Sequence, residues 1–360
     1  MTNAPQNPYS SLPPQAYWRT GVAEAGIFGL SGLWKSKWVL PGDARFSTFG
    51  SCFAQHISRA LQARGMNWVD GEPAPGRIPA ELAKAFNYGV FSARTANIYT
   101  AAQLVTLLRM VTGQTAPDSA EVWQDADGWR DSLRPAIEPK PFASRAEALL
   151  SRQSMLRGLR LSVTGADVFV FTLGLTEGWE SAETGQPYAT CPGTVGGTFN
   201  PDQHRFVNYR AAAIRAALDE ALALMRGLNP DIHLLLTVSP VPLTATASGD
   251  HVLVATMHSK SVLRGVAGEL AQDDPRVDYF PSYEIINGPP TRSAFFEPNL
   301  RSVVPQGVDL VMTHFFSGLN TIGPARHGPA DPDIAARIEA QMNAEELVCE
   351  EMMLEKFNAS

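Results

Sequence analysis

Ser51 is the side chain best placed for covalent chemistry. It follows Gly50, which comes straight after the apolar run RFSTF (Arg45 to Phe49), and Gln55 to Gly65 then reads as a helix. A serine at such a strand-to-helix turn faces backbone N–H groups and the positive end of the helix dipole, which stabilise negative charge. An acyl-transfer nucleophile needs that setting, although a serine that merely caps a helix shares it. Cys52 is the neighbouring thiol alternative, and a thiol in this position is more commonly a small buried hydrophobe. Candidate proton carriers are the seven histidines, with Lys260 as the partner of a Ser–Lys arrangement. Glu177, Glu180 and Glu183 share one loop and could meet a metal or sugar hydroxyls, but exposed loop acids are ordinary and no metal site is assigned. Trp179, Tyr188, Phe199 and Phe206 flank a long loop kept compliant by Gly193, Gly196 and Gly197. Loops of that length are often binding loops, and aromatic faces suit carbohydrate rings.

These residues need a scaffold, and the sequence alternates strands with helices. Asp167 to Leu173 (DVFVFTL) and His233 to Val238 (HLLLTV) are nearly continuous apolar runs, the pattern of central parallel strands buried on both faces. Between them Tyr209 to Gly227 reads as a helix; Leu253 to Leu270 gives another, and Val277 to Phe280 a short strand. The alternation predicts a flavodoxin-like α/β three-layer sandwich on a parallel sheet, whose functional loops lie beyond the C-terminal strand ends. Three such ends carry Gly50 to Ala54, Gly174 to Glu177 and Ser239 to Pro242, and they should converge on one cleft. The expected organisation is an N-terminal extension over 1–44, the α/β domain over 45–322 with a helical insertion near 103–160 that could cap the site, and a tail over 323–360. In that tail a Pro- and Gly-rich linker (Gly323 to Asp333) precedes an acidic helix capped by Asp333, with Ile334, Ile338 and Met342 along one face.

Composition narrows the class. With 44% hydrophobic and 18% charged residues the chain reads as globular rather than disordered. The net charge of −7 without a basic cluster argues against nucleic acid as partner. Six of those charges fall in residues 331–360, so that helix is either a solvated face or a docking element for a protein partner or a second copy. Three scattered cysteines suit a reducing compartment, and the start of the sequence has no signal-peptide pattern; a cytoplasmic, non-membrane protein is expected.

The segment Gly50-Ser51-Cys52-Phe53-Ala54 spells the motif of the GSCFA domain family, which resembles the SGNH/GDSL hydrolase superfamily. FSARTANIYT (Phe91 to Thr100), FTLGLTEGW (Phe171 to Trp179), TVSPVPL (Thr237 to Leu243), SKSVLR (Ser259 to Arg264) and YFPSYEI (Tyr279 to Ile285) are similar to the same family. The resemblance implies that Ser51 is the nucleophile. It implies an oxyanion hole made of the Ser51 N–H, Gly89 in Asn87-Tyr88-Gly89, and Thr176 in place of an asparagine, with Asn97 as an alternative amide donor. The superfamily's Asp and His, three residues apart, fall on Asn299 and Ser302, neither of which can act as base. Another histidine must then serve: His314, close downstream of that frame, ranks first, and His251, in a strand-end loop, second; His56 turns away on its helix.

Together these features predict a serine esterase or acyltransferase acting on an O-acyl group of a carbohydrate or similar hydroxylated substrate. No resident cofactor is expected, and acyl-CoA is a possible co-substrate for transfer. Asn87, Glu177 and Trp179 are expected to contact substrate. The contrary expectation is a non-catalytic binding or assembly protein on the same fold, because the Asp/His pair is missing.

Overall fold

A computed structural model of the chain describes residues 7–322 and 349–358. Five parallel strands form the central sheet: β1 (Arg45–Gly50), β2 (Asn67–Trp68), β3 (Val168–Leu173), β4 (His233–Val238) and β5 (Val277–Phe280). Their spatial order is 5-4-3-1-2, the flavodoxin-like arrangement, with Gly50 level with Thr172 and Thr172 level with Thr237. The three expected strand ends therefore lie side by side. The longer helices are α1 (Ala54–Ala63), α2 (Ala101–Val111), α3 (Arg145–Gly165), α4 (Ala211–Leu228), α5 (Val252–Asp273) and α6 (Pro305–Gly318).

Side-chain alternation along the strands divides the core in two. Phe169, Phe171 and Leu173 of β3 face α2 to α5, where they meet Leu104, Leu159, Leu218 and Leu263. Val168 and Val170 face the other way, with Phe53 and Ile57 of α1 and Val311 and Phe315 of α6. All six β3 side chains are buried, which is why the strand reads as an unbroken apolar run. In α4, Ile214, Leu218, Ala221, Leu222 and Met225 are buried at helical spacing in an Ala/Leu-rich segment of high intrinsic propensity. A capping box at Thr100 and Gln103 starts α2.

Two organisational expectations change. The stretch near 103–160 is not a helical cap, because α2 and α3 belong to the helical layer itself; what projects between them is the hairpin Val122–Asp125 and Gly128–Asp131. That hairpin is held by a fully buried cluster in which Asp131 accepts from the guanidiniums of Arg134 and Arg152. The segment before β1 is also no mere extension. Trp38 Nε1 donates to the Pro275 carbonyl at 2.8 Å, and Val39–Pro41 pairs with Asn320–Ile322 beside the sheet. The linker and the helix expected from Asp333 lie outside the described residues; the end of the chain returns as a 3₁₀ helix, Glu350–Phe357.

Candidate active site

At the end of β1, Gly50 takes φ +131°, and a Cβ there would come within 2.3 Å of the Thr172 carbonyl oxygen. Only glycine lets the chain turn this sharply against β3. Ser51 follows at 2% exposure, its N–H donating to the Thr172 carbonyl at 3.0 Å. That bond corrects one expectation, since an N–H spent on β3 cannot also hold an oxyanion. Ser51 Oγ is buried and has no hydrogen-bond partner among the described residues, so none of the six histidines there reaches it.

The loop Phe91 to Tyr99 is the second wall. Ile98 N–H donates to the Gly50 carbonyl at 2.8 Å, and the Tyr99 carbonyl accepts the N–H groups of Gly174 and Leu175. Ala96 at φ +56° strains this loop, a feature that persists where the surroundings over-determine the backbone. Asn97 Oδ1 accepts from Gln55 of α1 at 3.2 Å, so of the expected amide donors Asn97 is the one set beside the Gly50 turn. Gly174 backs the serine, because a Cβ on it would stand 3.0 Å from Ser51 Cβ. Two residues on, Thr176 has its N–H bound by Ser259 Oγ at 2.9 Å and its own hydroxyl buried without a partner.

Lys260 of α5 reaches the same wall. Its Nζ donates to the Gly174 carbonyl at 2.7 Å, and the residue is 1% exposed. Burial brings its ammonium down to about 8, against the opposing pull of Glu351. Arg301 is buried too, its guanidinium 3.3 Å from Glu351 and 3.7 Å from Cys349 Sγ.

The chain end closes the cleft. Glu350 accepts from the Asn97 amide and, at 2.9 Å, from the Tyr99 hydroxyl. Burial raises the carboxyls of Glu350 and Glu351, the latter to about 7. Cys349 lies in hydrogen-bond contact with Cys52; that contact and Arg301 hold the Cys349 thiol below its ordinary range, while the contact and burial push the Cys52 thiol up. Further along, Lys356 Nζ donates to the Thr194 carbonyl at 2.6 Å.

Beside this cluster lies a cavity of about 220 Å³ whose lining includes Leu175, Glu177, Trp179, Phe206, Leu243 and Leu354. Glu177 accepts from Thr246 Oγ1 at 2.8 Å, and Trp179 packs edge-on against Phe199 and Phe206. Glu177 and Trp179 therefore line one cavity.

Other expected residues are elsewhere. The Gly89 carbonyl accepts from Gln62, near the far end of α1, about 12 Å of helix beyond Ser51. Gly89 is thus no oxyanion donor, and Asn87 instead ties its loop to the Ile137 carbonyl at 3.0 Å. His314 lies two residues before Phe316, whose ring carries the Arg64 guanidinium at that same far end of α1. Its Nε2 is buried and, like Ser51 Oγ, has no hydrogen-bond partner among the described residues, so His314 makes no bond to the serine. His251 is exposed at the start of α5, where its Nδ1 accepts the Leu253 N–H as a helix cap. Asn299 and Ser302 bond to each other in an exposed turn, and it is Arg301 between them that enters the cleft. Arg301, Tyr99 and the chain-end acids had no sequence signal of their own beyond Arg301's place in the Asn299 to Ser302 frame.

A family model for the GSCFA family matches residues 45–315. The chain belongs to the GSCFA family. The match spans β1 to β5 and most of α6, while Cys349 and the residues after it lie beyond it. No curated protein matches the chain. Among solved structures it is similar to a Clostridium thermocellum family 3 carbohydrate esterase, at 9% identity and a TM-score of 0.31, over 76% of this chain and 94% of that one. It is also similar to an acetyl esterase mutant with acetate ion, at 12% identity and a TM-score of 0.24, over 66% of this chain and 91% of that one. Both likenesses are too distant to bear on activity. Among the described residues no helix is long and apolar enough to cross a membrane, and no cluster of His, Cys, Asp or Glu could hold a metal.

Proposed function

We propose that this GSCFA protein is a serine esterase or acyltransferase acting on O-acyl groups of a hydroxylated substrate such as a carbohydrate. The observation that carries the reading is Ser51 Oγ, buried at the end of β1 without a hydrogen-bond partner among the described residues and packed against Gly174, whose carbonyl accepts from the buried Lys260 ammonium. Ser51 Oγ attacks the acyl carbonyl carbon while the neutral Lys260 amine takes the hydroxyl proton. The oxyanion is met by the Asn97 amide and the Thr176 hydroxyl. As the C–O bond breaks, Lys260 returns the proton to the leaving alcohol. Water then frees the acyl group in hydrolysis, or an acceptor hydroxyl takes it in transfer; with an acyl-CoA donor the bond that breaks is the thioester C–S bond and the proton goes to the CoA sulfur. A lysine base replaces the missing Asp/His pair because burial, and not a histidine, tunes the proton carrier.

One observation favours a second reading, a binding protein without catalysis: among the described residues Ser51 Oγ has no imidazole in hydrogen-bond contact. Turnover of p-nitrophenyl acetate separates the two. The esterase reading expects release of p-nitrophenol that Ser51→Ala abolishes at unchanged melting temperature. Equal turnover by the alanine variant, or none by either protein, favours the binding protein.

A further inference from the structure

The Ser51 cleft is lined by groups that call for negative charge, and the fold itself does not supply it. Lys260 comes from α5, Arg301 from the turn after Asn299, Asn97 and Tyr99 from the loop beside β1, and all four are buried. Two cations taken out of water cost several kcal/mol each unless anions accompany them. The carboxylate that acts on Lys260 is Glu351, and the same Glu351 is the acid that Arg301 bonds. Glu350 fills the place between Asn97 and Tyr99. Both acids belong to the chain end, beyond the family match.

The way this segment is held says what the cleft reads. Among the described residues its bonds to the domain run through side-chain tips: the two carboxylates, the Cys349 sulfur and the Lys356 ammonium. The backbone N–H groups of Met352 and Asn358 bond only within the segment. Recognition is thus of carboxylates and not of a peptide backbone. Leu354 reaches the neighbouring cavity, whose aromatic and aliphatic wall of Trp179, Phe206, Leu175 and Leu243 offers a ring-sized apolar surface next to the anion site.

We infer that the Ser51 cleft is a binding site for a substrate bearing a carboxylate, of the uronic-acid class, and that Glu350 and Glu351 occupy it as an internal stand-in that substrate displaces. The inference rests on the functional reading above for the location of the reacting acyl group, and on the buried cations for the carboxylate. In this arrangement Arg301 takes the sugar acid's carboxylate where Glu351 now lies, and Lys260 stays free to act as the base. Asn97 and Tyr99 are released from Glu350 to meet the acyl oxygen, and the pyranose ring lies against Trp179. Covering and substrate recognition are then one device: the cleft stays closed until a ligand with the right charge competes.

The test measures binding in the full chain carrying Ser51→Ala, so that turnover plays no part. Calorimetry with D-glucuronate is compared between the native tail and Glu350→Gln with Glu351→Gln. The inference expects the tail variant to bind D-glucuronate at least about tenfold more tightly, D-glucose to gain nothing, and Arg301→Ala to erase the gain. Glutarate is the second arm. Weaker glutarate binding supports the sugar-acid class, and glutarate binding as tight as D-glucuronate overturns it. No gain on changing the tail, or an equal gain for D-glucose, overturns the inference. A measurement on the unaltered sequence guards against misfolding of the variant: saturating D-glucuronate should speed hydrogen exchange of residues 349–358, and unchanged exchange counts against displacement. Ester hydrolysis that fails while D-glucuronate binds as described removes only the catalytic reading.

Discussion

Lys260→Met should lower p-nitrophenyl acetate hydrolysis by about a hundred- to ten-thousandfold, the usual contribution of a positioned base. The structure also sets the shape of the pH profile. With the Lys260 ammonium brought down to about 8 by burial, roughly a tenth of the molecules carry the neutral amine near pH 7 and about nine-tenths near pH 9. A rate that needs the neutral amine should therefore climb about tenfold over that interval and level off above it. Initial rates read at 405 nm, with the hydroxide background subtracted, give the profile. Lys260→Arg should be as inactive as Lys260→Met, because a guanidinium stays protonated throughout. A profile already complete near about pH 6.5, the signature of an imidazole base, would refute this reasoning. So would a Lys260→Met enzyme that keeps its rate.

Two further outcomes follow from the same geometry. Asp131→Asn leaves Arg134 and Arg152 buried against a neutral group, and it should cost about 3 to 5 kcal/mol of unfolding free energy by urea titration; a loss below about 1 kcal/mol would mean that the cluster is solvated. Gly50→Ala forces a Cβ onto the Thr172 carbonyl at positive φ and should destabilise by about 3 kcal/mol, whereas a neutral effect would contradict the turn described for Ser51.

Much of the scaffold is legible in the residues themselves. The β3 and β4 runs are apolar on both faces because helices cover both faces, and the periodicity of α4 survives because one side of it is solvated. Gly50 and Ser51 are legible as a turn because glycine is required where the chain grazes β3. Glu177 and Trp179 follow from their strand end. The misplaced residues share one cause: spacing along the chain does not report which end of a helix a residue reaches. Gly89 lies near the far end of α1, and only the packing of Gln62 shows it. Arg301 carries no motif of its own, and only the turn made by Asn299 and Ser302 around it brings it into the cleft. The covering role of Glu350 and Glu351 depends on a contact across about 250 residues, with Asn97 and Tyr99, which no local pattern encodes. Lys260 was legible as a lysine near Ser259, but its proton affinity comes from burial, which exists only in the fold.

The central claim, that Ser51 is a nucleophile in a working cleft, is tested most directly by labelling with a fluorophosphonate and locating the adduct by peptide mass spectrometry. The account predicts one adduct, on Ser51, formed faster with Glu350→Gln and Glu351→Gln and absent from Ser51→Ala. An adduct on Cys52 or elsewhere, or none in either the native or the tail variant, would contradict it.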